Sequence, residues 1–186
     1  MALLGHNGGL IGGNRNYSQQ GAEGVWSVHE QVKAKRNFLW PSSNLSFSYR
    51  YWRWDNITAN SNFLEVSEWR LQRNDTVITG GTWTFSGSSF STWNAVAMTD
   101  GDFGESRAVQ IVNPTAGDYI QYDHGSTVEV DQWRYAQFYF GGGRYVTGVT
   151  ISGSNDGVEF SPIKTFSGLT QYATSDYILS PRYLLS

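Results

Sequence analysis

The chain has 186 residues, no cysteine and a formal net charge of −3. That length suits one domain of ordinary size plus an appendage. The missing cysteines exclude a disulfide framework and any cysteine-based zinc site, and the acidic balance excludes the basic surplus that nucleic-acid binding calls for.

Aromatic residues make up 16% and charged residues 16%, with 21 glycines against 4 prolines, a balance that favours strands and tight turns over helices. No apolar run approaches the roughly 18–20 residues that span a bilayer, so no membrane insertion is expected. The first residues lack a basic stretch followed by an apolar core, so no secretory leader is expected either.

Residues 1–24 are rich in Gly, Asn and Gln, and glycine raises the entropy cost of ordering. The apolar spots within them, among them Leu10 and Ile11, would be superfluous in a plain linker. They are read as anchoring residues of an arm that orders on a partner.

Residues 25–41 carry the one convincing helix pattern. Ser27 and Glu30 form a capping box, and Val28 and Val32 share a face. Lys33, Lys35 and Arg36 complement the helix dipole near the C-terminal end, and Pro41 stops continuation. About ten residues make a helix that is marginal alone. Trp26 and Trp40 therefore need a packing partner, either this chain's own domain or another subunit.

From residue 46 the pattern changes to period two. Ser46–Tyr51 alternates polar and apolar residues; Trp52-Arg53-Trp54 then alternates in the opposite phase, which predicts a bulge or two covered faces. Further strands are predicted at 63–71, 82–85, 107–112, 119–123, 128–130, 135–140, 146–152, 159–163 and 177–185. Gly80-Gly81, Asp100-Gly101-Asp102, Gly141-Gly142-Gly143 and Asn155-Asp156-Gly157 supply turns between them. The expected fold is all-β, a jelly-roll-like antiparallel β-sandwich over residues 46–186, carried by an arm with one short helix over residues 1–45.

The chemistry-bearing residues are few. Asp100 and Asp102, with Glu105 nearby, form a candidate calcium site, since a hard cation collects carboxylate and carbonyl oxygens. No other cofactor is implied. Trp52, Trp54, Trp69, Trp83, Trp93 and Trp133 have faces that stack on sugars, but a sandwich of this size uses several tryptophans in its core. Trp93 and Tyr119, near predicted loops, are the better ligand-binding candidates. His6, His29 and His124 show no metal-ligand spacing. No nucleophile elbow, paired-carboxylate motif or phosphate loop appears, so no catalytic residue is assigned and a non-enzymatic protein is expected.

Several stretches in chain order resemble the discoidin, or coagulation factor 5/8 type C, family of galactose-binding-like jelly rolls. They are Tyr51-Trp52-Arg53 with Val66-Ser67-Glu68-Trp69, the Ala97–Asp102 loop, Tyr119–Gly125, and the Ile151–Phe160 hairpin, where Phe160 stands in place of the family's usual Trp. The resemblance covers about residues 46–170 and implies glycan binding through loops, with calcium at the Asp100–Asp102 loop in some members. Gly24-Val25-Trp26-Ser27-Val28-His29-Glu30-Gln31, closing at Trp40-Pro41, resembles a segment common in tailed-phage virion proteins. Together these imply a virion protein assembled in the host cytoplasm, a small tail-fibre or tail adhesin whose partners are other virion subunits and a host-surface glycan. A homo-oligomer, with a trimer as one arrangement, would add avidity. A capsid decoration protein is the alternative in the same context, and a glycosidase-associated carbohydrate-binding module a further one.

Overall fold

The computed structural model describes residues 17–18, 21–22, 46–87, 90–102, 108–137, 144–172 and 178–186. The chain divides into two compact units, Met1–Asn44 and Leu45–Ser186. In the first, β1 (Tyr17–Ser18) pairs antiparallel with β2 (Gly21–Ala22). The expected helix over 25–41 and the anchoring candidates Leu10, Ile11, Trp26, Val28, Val32 and Trp40 lie outside the described residues, as does Glu105.

The second unit is a β-sandwich. Its strands are β3 (Phe47–Ala59), β4 (Phe63–Arg73), β5 (Thr76–Val77), β6 (Thr82–Ser86), β7 (Phe90–Trp93), β8 (Val109–Val112), β9 (Tyr119–Val130), β10 (Gln132–Gln137), β11 (Val146–Ser154), β12 (Ser161–Ser167), β13 (Ile178–Leu179) and β14 (Tyr183–Leu184). One sheet has five strands in the order β12-β11-β3-β9-β6. The other has seven, ordered β13-β10-β4-β8-β7, with β14 added to β10 and β5 to β4. All the pairings are antiparallel, and the chain passes repeatedly from one sheet to the other, as in a jelly roll.

The reversed phase at Trp52 is a bulge: the β3–β9 register shifts between Tyr49 and Tyr51. Before it Phe47 and Tyr49 lean on the core; after it Trp52 and Trp54 are fully buried in it. Because side chains alternate along a strand, this fixes Tyr51, Arg53 and Asp55 on the opposite face. The same row logic runs across the sheet. Trp54 sits between Ile151 and Ile120, and Arg53 between Ser152 and Gln121.

The core is unusually aromatic. Trp54 of the five-stranded sheet meets Trp69 of the other edge-to-face, with centroids 5.6 Å apart and planes at 86°. Trp83 stacks on Trp54 at 5.5 Å, and Trp133 and Tyr135 flank Trp69 at 5.1 and 5.9 Å. Tyr183 from the C-terminal strand closes on Trp133 at 5.1 Å. Among the described residues the buried indole N–H groups of Trp54, Trp69 and Trp133 find no hydrogen-bonding partner, a cost that the area buried by the rings offsets.

Two glycines are required where they occur. Gly157 has φ of +77°, the left-handed value that the Asn155-Asp156-Gly157 turn needs. A Cβ on Gly153 would lie 2.1 Å from the Tyr49 ring, so this strand position has to be bare.

Several strand limits differ from the sequence expectation. The segments 119–123 and 128–130 form one continuous strand, because Gly125 (φ +85°) lets β9 pass the His124-Gly125-Ser126 stretch without ending. The 177–185 segment is cut by Pro181 into β13 and β14, in keeping with a residue that cannot donate to a ladder. Strand β7 was not expected, being short and preceded by Gly87-Ser88-Ser89. Replacing Trp69 by Ala should cost about 3–5 kcal/mol of unfolding free energy. Chemical denaturation of the full chain measures it, and a loss below about 1 kcal/mol would contradict the packing described.

Candidate functional site

The outer face of the five-stranded sheet gathers the most chemistry among the described residues. Arg53 projects from β3 into a slot between two rings. Its guanidinium carbon lies 4.0 Å from the centroid of Tyr119 on β9 and 3.6 Å from that of Phe160, which follows the β11–β12 turn. Arg53 Nε and Nη2 both donate to Gln121 Oε1, at 3.2 and 2.8 Å. Close contact with two rings and hydrogen bonds along one edge leave the guanidinium little freedom.

Local order holds the slot together. Asp156 Oδ1 accepts the N–H groups of Val158 and Glu159, at 2.8 and 3.0 Å, and the hydroxyl of Ser154 at 2.8 Å, so the turn that delivers Phe160 is tied internally. Those N–H donors hold the Asp156 carboxyl below the usual carboxylate range. Arg50 N–H donates to Asn155 Oδ1 at 3.1 Å, fastening the turn to β3.

Three further charged residues share this face with Arg53. Arg50 and Asp123 form a two-pronged ion pair, Nε–Oδ1 at 2.9 Å and Nη2–Oδ2 at 3.0 Å, while Asp55 accepts from Ser152 Oγ at 3.2 Å and from Asn56 Nδ2 at 3.0 Å. Burial pushes the Asp55 carboxyl up. The hydrogen bonds from Arg50 hold the Asp123 carboxyl down.

The sequence candidates fall in different places. Tyr119 is half-buried and forms one wall of the arginine slot. Trp93 ends β7, paired with Val109, and its side chain lies outside what the structure describes. Trp52, Trp54, Trp69, Trp83 and Trp133 are core residues. Asp100 Oδ1 accepts the N–H of Asp102 at 2.8 Å, a turn-closing bond. Among the described residues no group of three His, Cys, Asp or Glu stands ready to hold a metal.

The Asp100–Asp102 loop is fastened to the seven-stranded sheet. Gly101 N–H donates to Glu68 Oε1 at 2.6 Å, and Arg70 Nε meets Glu68 Oε2 at 2.6 Å. Burial pushes the Glu68 carboxyl up, against the pull of Arg70 and Gly101. Glu65, also fully buried, binds Arg144 at 2.7 Å and accepts from Gln110 Nε2. Both carboxylates face away from the core on β4, where sequence alternation alone would leave them in water.

Sequence reasoning missed Arg53, Gln121 and Phe160 as partners. The one available signal was that Tyr119, Arg53 and Phe160 each lie in a stretch of the discoidin-like resemblance. No protein-family model, curated protein or solved structure matches this chain.

Asp123 offers a direct check of this face. Its carboxyl pKa in the folded chain is depressed, so the stabilisation from its ion pair is complete above the ordinary carboxylate range. It is lost as pH falls through the folded value. A carboxyl-detected NMR titration should show Asp123 titrating below an unpaired aspartate in the wild type and moving upward in Arg50→Gln. An unchanged midpoint in the variant would contradict the pairing.

Proposed function

We propose that the chain is a non-enzymatic virion protein of a tailed phage, mounted through residues 1–45, whose sandwich binds a host-surface glycan on the outer face of the five-stranded sheet. The observation that carries the binding reading is the cluster made by Tyr119, Arg53 and Phe160, with Gln121 beside Arg53 in the ladder and Tyr51 two residues back on the same face. Ring edges give a sugar apolar surface, and the surrounding amide, hydroxyl and guanidinium groups give it hydrogen bonds. Val158, 75% exposed beside Phe160, extends the apolar rim.

The discoidin-like character supports the same reading, with one difference: the slot lies on strands and one hairpin, while the resemblance points to loops. The virion context rests on the N-terminal resemblance around Trp26 and Trp40. Weak single-site binding would be compensated by several copies acting together.

A panel of bacterial surface polysaccharides, presented to a multivalent form of the full chain, tests the reading. Wild type should retain at least one polysaccharide, periodate oxidation of that polysaccharide should abolish retention, and Tyr119→Ala should weaken it at least tenfold. Retention of none at high avidity, or retention indifferent to both changes, would remove the proposal.

A further inference from the structure

Most of the described arginines already have their acid. Arg50 holds Asp123, Arg70 holds Glu68, Arg73 holds Asp131, Arg144 holds Glu65 and Arg182 holds Asp75. Arg134 and Arg53 differ. Arg134 donates Nε to the Ser180 carbonyl at 2.8 Å and stands opposite Arg70 in the ladder. Its immediate neighbours Arg70 and Arg182 bring Glu68 and Asp75 with them, so negative charge is already close by.

Among the described residues the hydrogen bonds of Arg53 go to Gln121 Oε1, a neutral acceptor, and that single oxygen takes the Nε–Nη2 edge of the guanidinium. A guanidinium carries five N–H donors in a plane. With the Nε–Nη2 edge used, the Nη1–Nη2 edge still has the fork spacing that matches the two oxygens of a carboxylate. The rings of Tyr119 and Phe160 both lie within 4.0 Å of the guanidinium carbon, so a partner at the open edge also meets aromatic surface. Asp55, two residues along β3, feels the charge of Arg53 but makes its hydrogen bonds with Ser152 and Asn56.

We infer that Arg53 is the specificity determinant of this face and that the glycan it selects carries a carboxylate, such as a uronic or nonulosonic acid residue. The inference rests on the glycan-binding reading above and narrows it to a chemical class. The open fork edge pairs with the two oxygens of a carboxylate, and the rings beside it suit the apolar face of the sugar that carries it. The side chain is positioned before the ligand arrives, so little rotamer entropy is lost on binding. A lysine there would keep the charge and lose the fork.

The test is an array that prints each carboxylated saccharide beside its carboxyl-reduced counterpart, with O-sulfated and phosphorylated saccharides as further arms. The probe is the full chain in multivalent form. Wild type should bind at least one acidic saccharide tenfold or more above its reduced partner. Arg53→Gln should bring the two within twofold, and Arg53→Lys should recover only part of the preference, both variants keeping the wild-type melting temperature within a few degrees. If acid and reduced forms bind alike, the inference falls while the glycan reading stands; if no saccharide binds in any arm, both fall. An Arg53-dependent preference for the sulfated or phosphorylated arm would overturn the choice of carboxylate. A preference that survives in Arg53→Gln would overturn the role of Arg53.

Discussion

The edge-to-face contact between Trp54 and Trp69 is the constraint from which the rest of the sandwich follows. It joins a central strand of one sheet to a central strand of the other, and aromatic neighbours extend it on both sides. A chain without cysteine has to rely on such packing. Large rings bury much area per residue ordered and hold their geometry. Three indole N–H groups without hydrogen-bonding partners are the penalty the core accepts for that area.

The same contact sets what the outer face of the five-stranded sheet presents. With Trp52 and Trp54 turned inward, the pleat turns Tyr51, Arg53 and Asp55 outward. The β9 row then supplies Tyr119, Gln121 and Asp123 at matching heights, and the β11–β12 turn brings Phe160 over Arg53. The slot is therefore built mainly on strands, and its one hairpin contribution is tied down by Asp156. Sites on regular elements keep tighter geometry than sites on free loops. The opposite sheet shows the contrasting use of charge. Glu65 and Glu68 are buried and matched by Arg144, Arg70 and a backbone N–H, so their work is to fasten the covering loops.

Much of this was legible in the sequence. Period-two alternation and the Asn155-Asp156-Gly157 turn sufficed for the all-β fold and the β11–β12 hairpin, while the reversed phase at Trp52-Arg53-Trp54 left a bulge or two covered faces open until the β3–β9 register showed the bulge. Reading the strand tryptophans as core also agrees with their burial. Less legible was anything that depends on who pairs with whom. Tyr119 could be chosen for its place near a loop, but Arg53 and Phe160 become partners only through the β3–β9 and β3–β11 registers, which no local pattern encodes. Likewise no local pattern marks Glu65 and Glu68 as buried, because the cover from Gly101 and Arg144 comes from distant segments. Strand β9 read as two pieces because His124-Gly125-Ser126 has turn composition, yet the ladder continues through it.

The central claim is that Arg53 is held rigid and ready by its two rings and Gln121. Nitrogen-15 relaxation of the arginine side chains in the full chain tests it most directly. The Nε–H vector of Arg53 should show an order parameter near that of rigid backbone, about 0.85. A value below about 0.6, as in flexible segments, would show a mobile arginine and contradict the account.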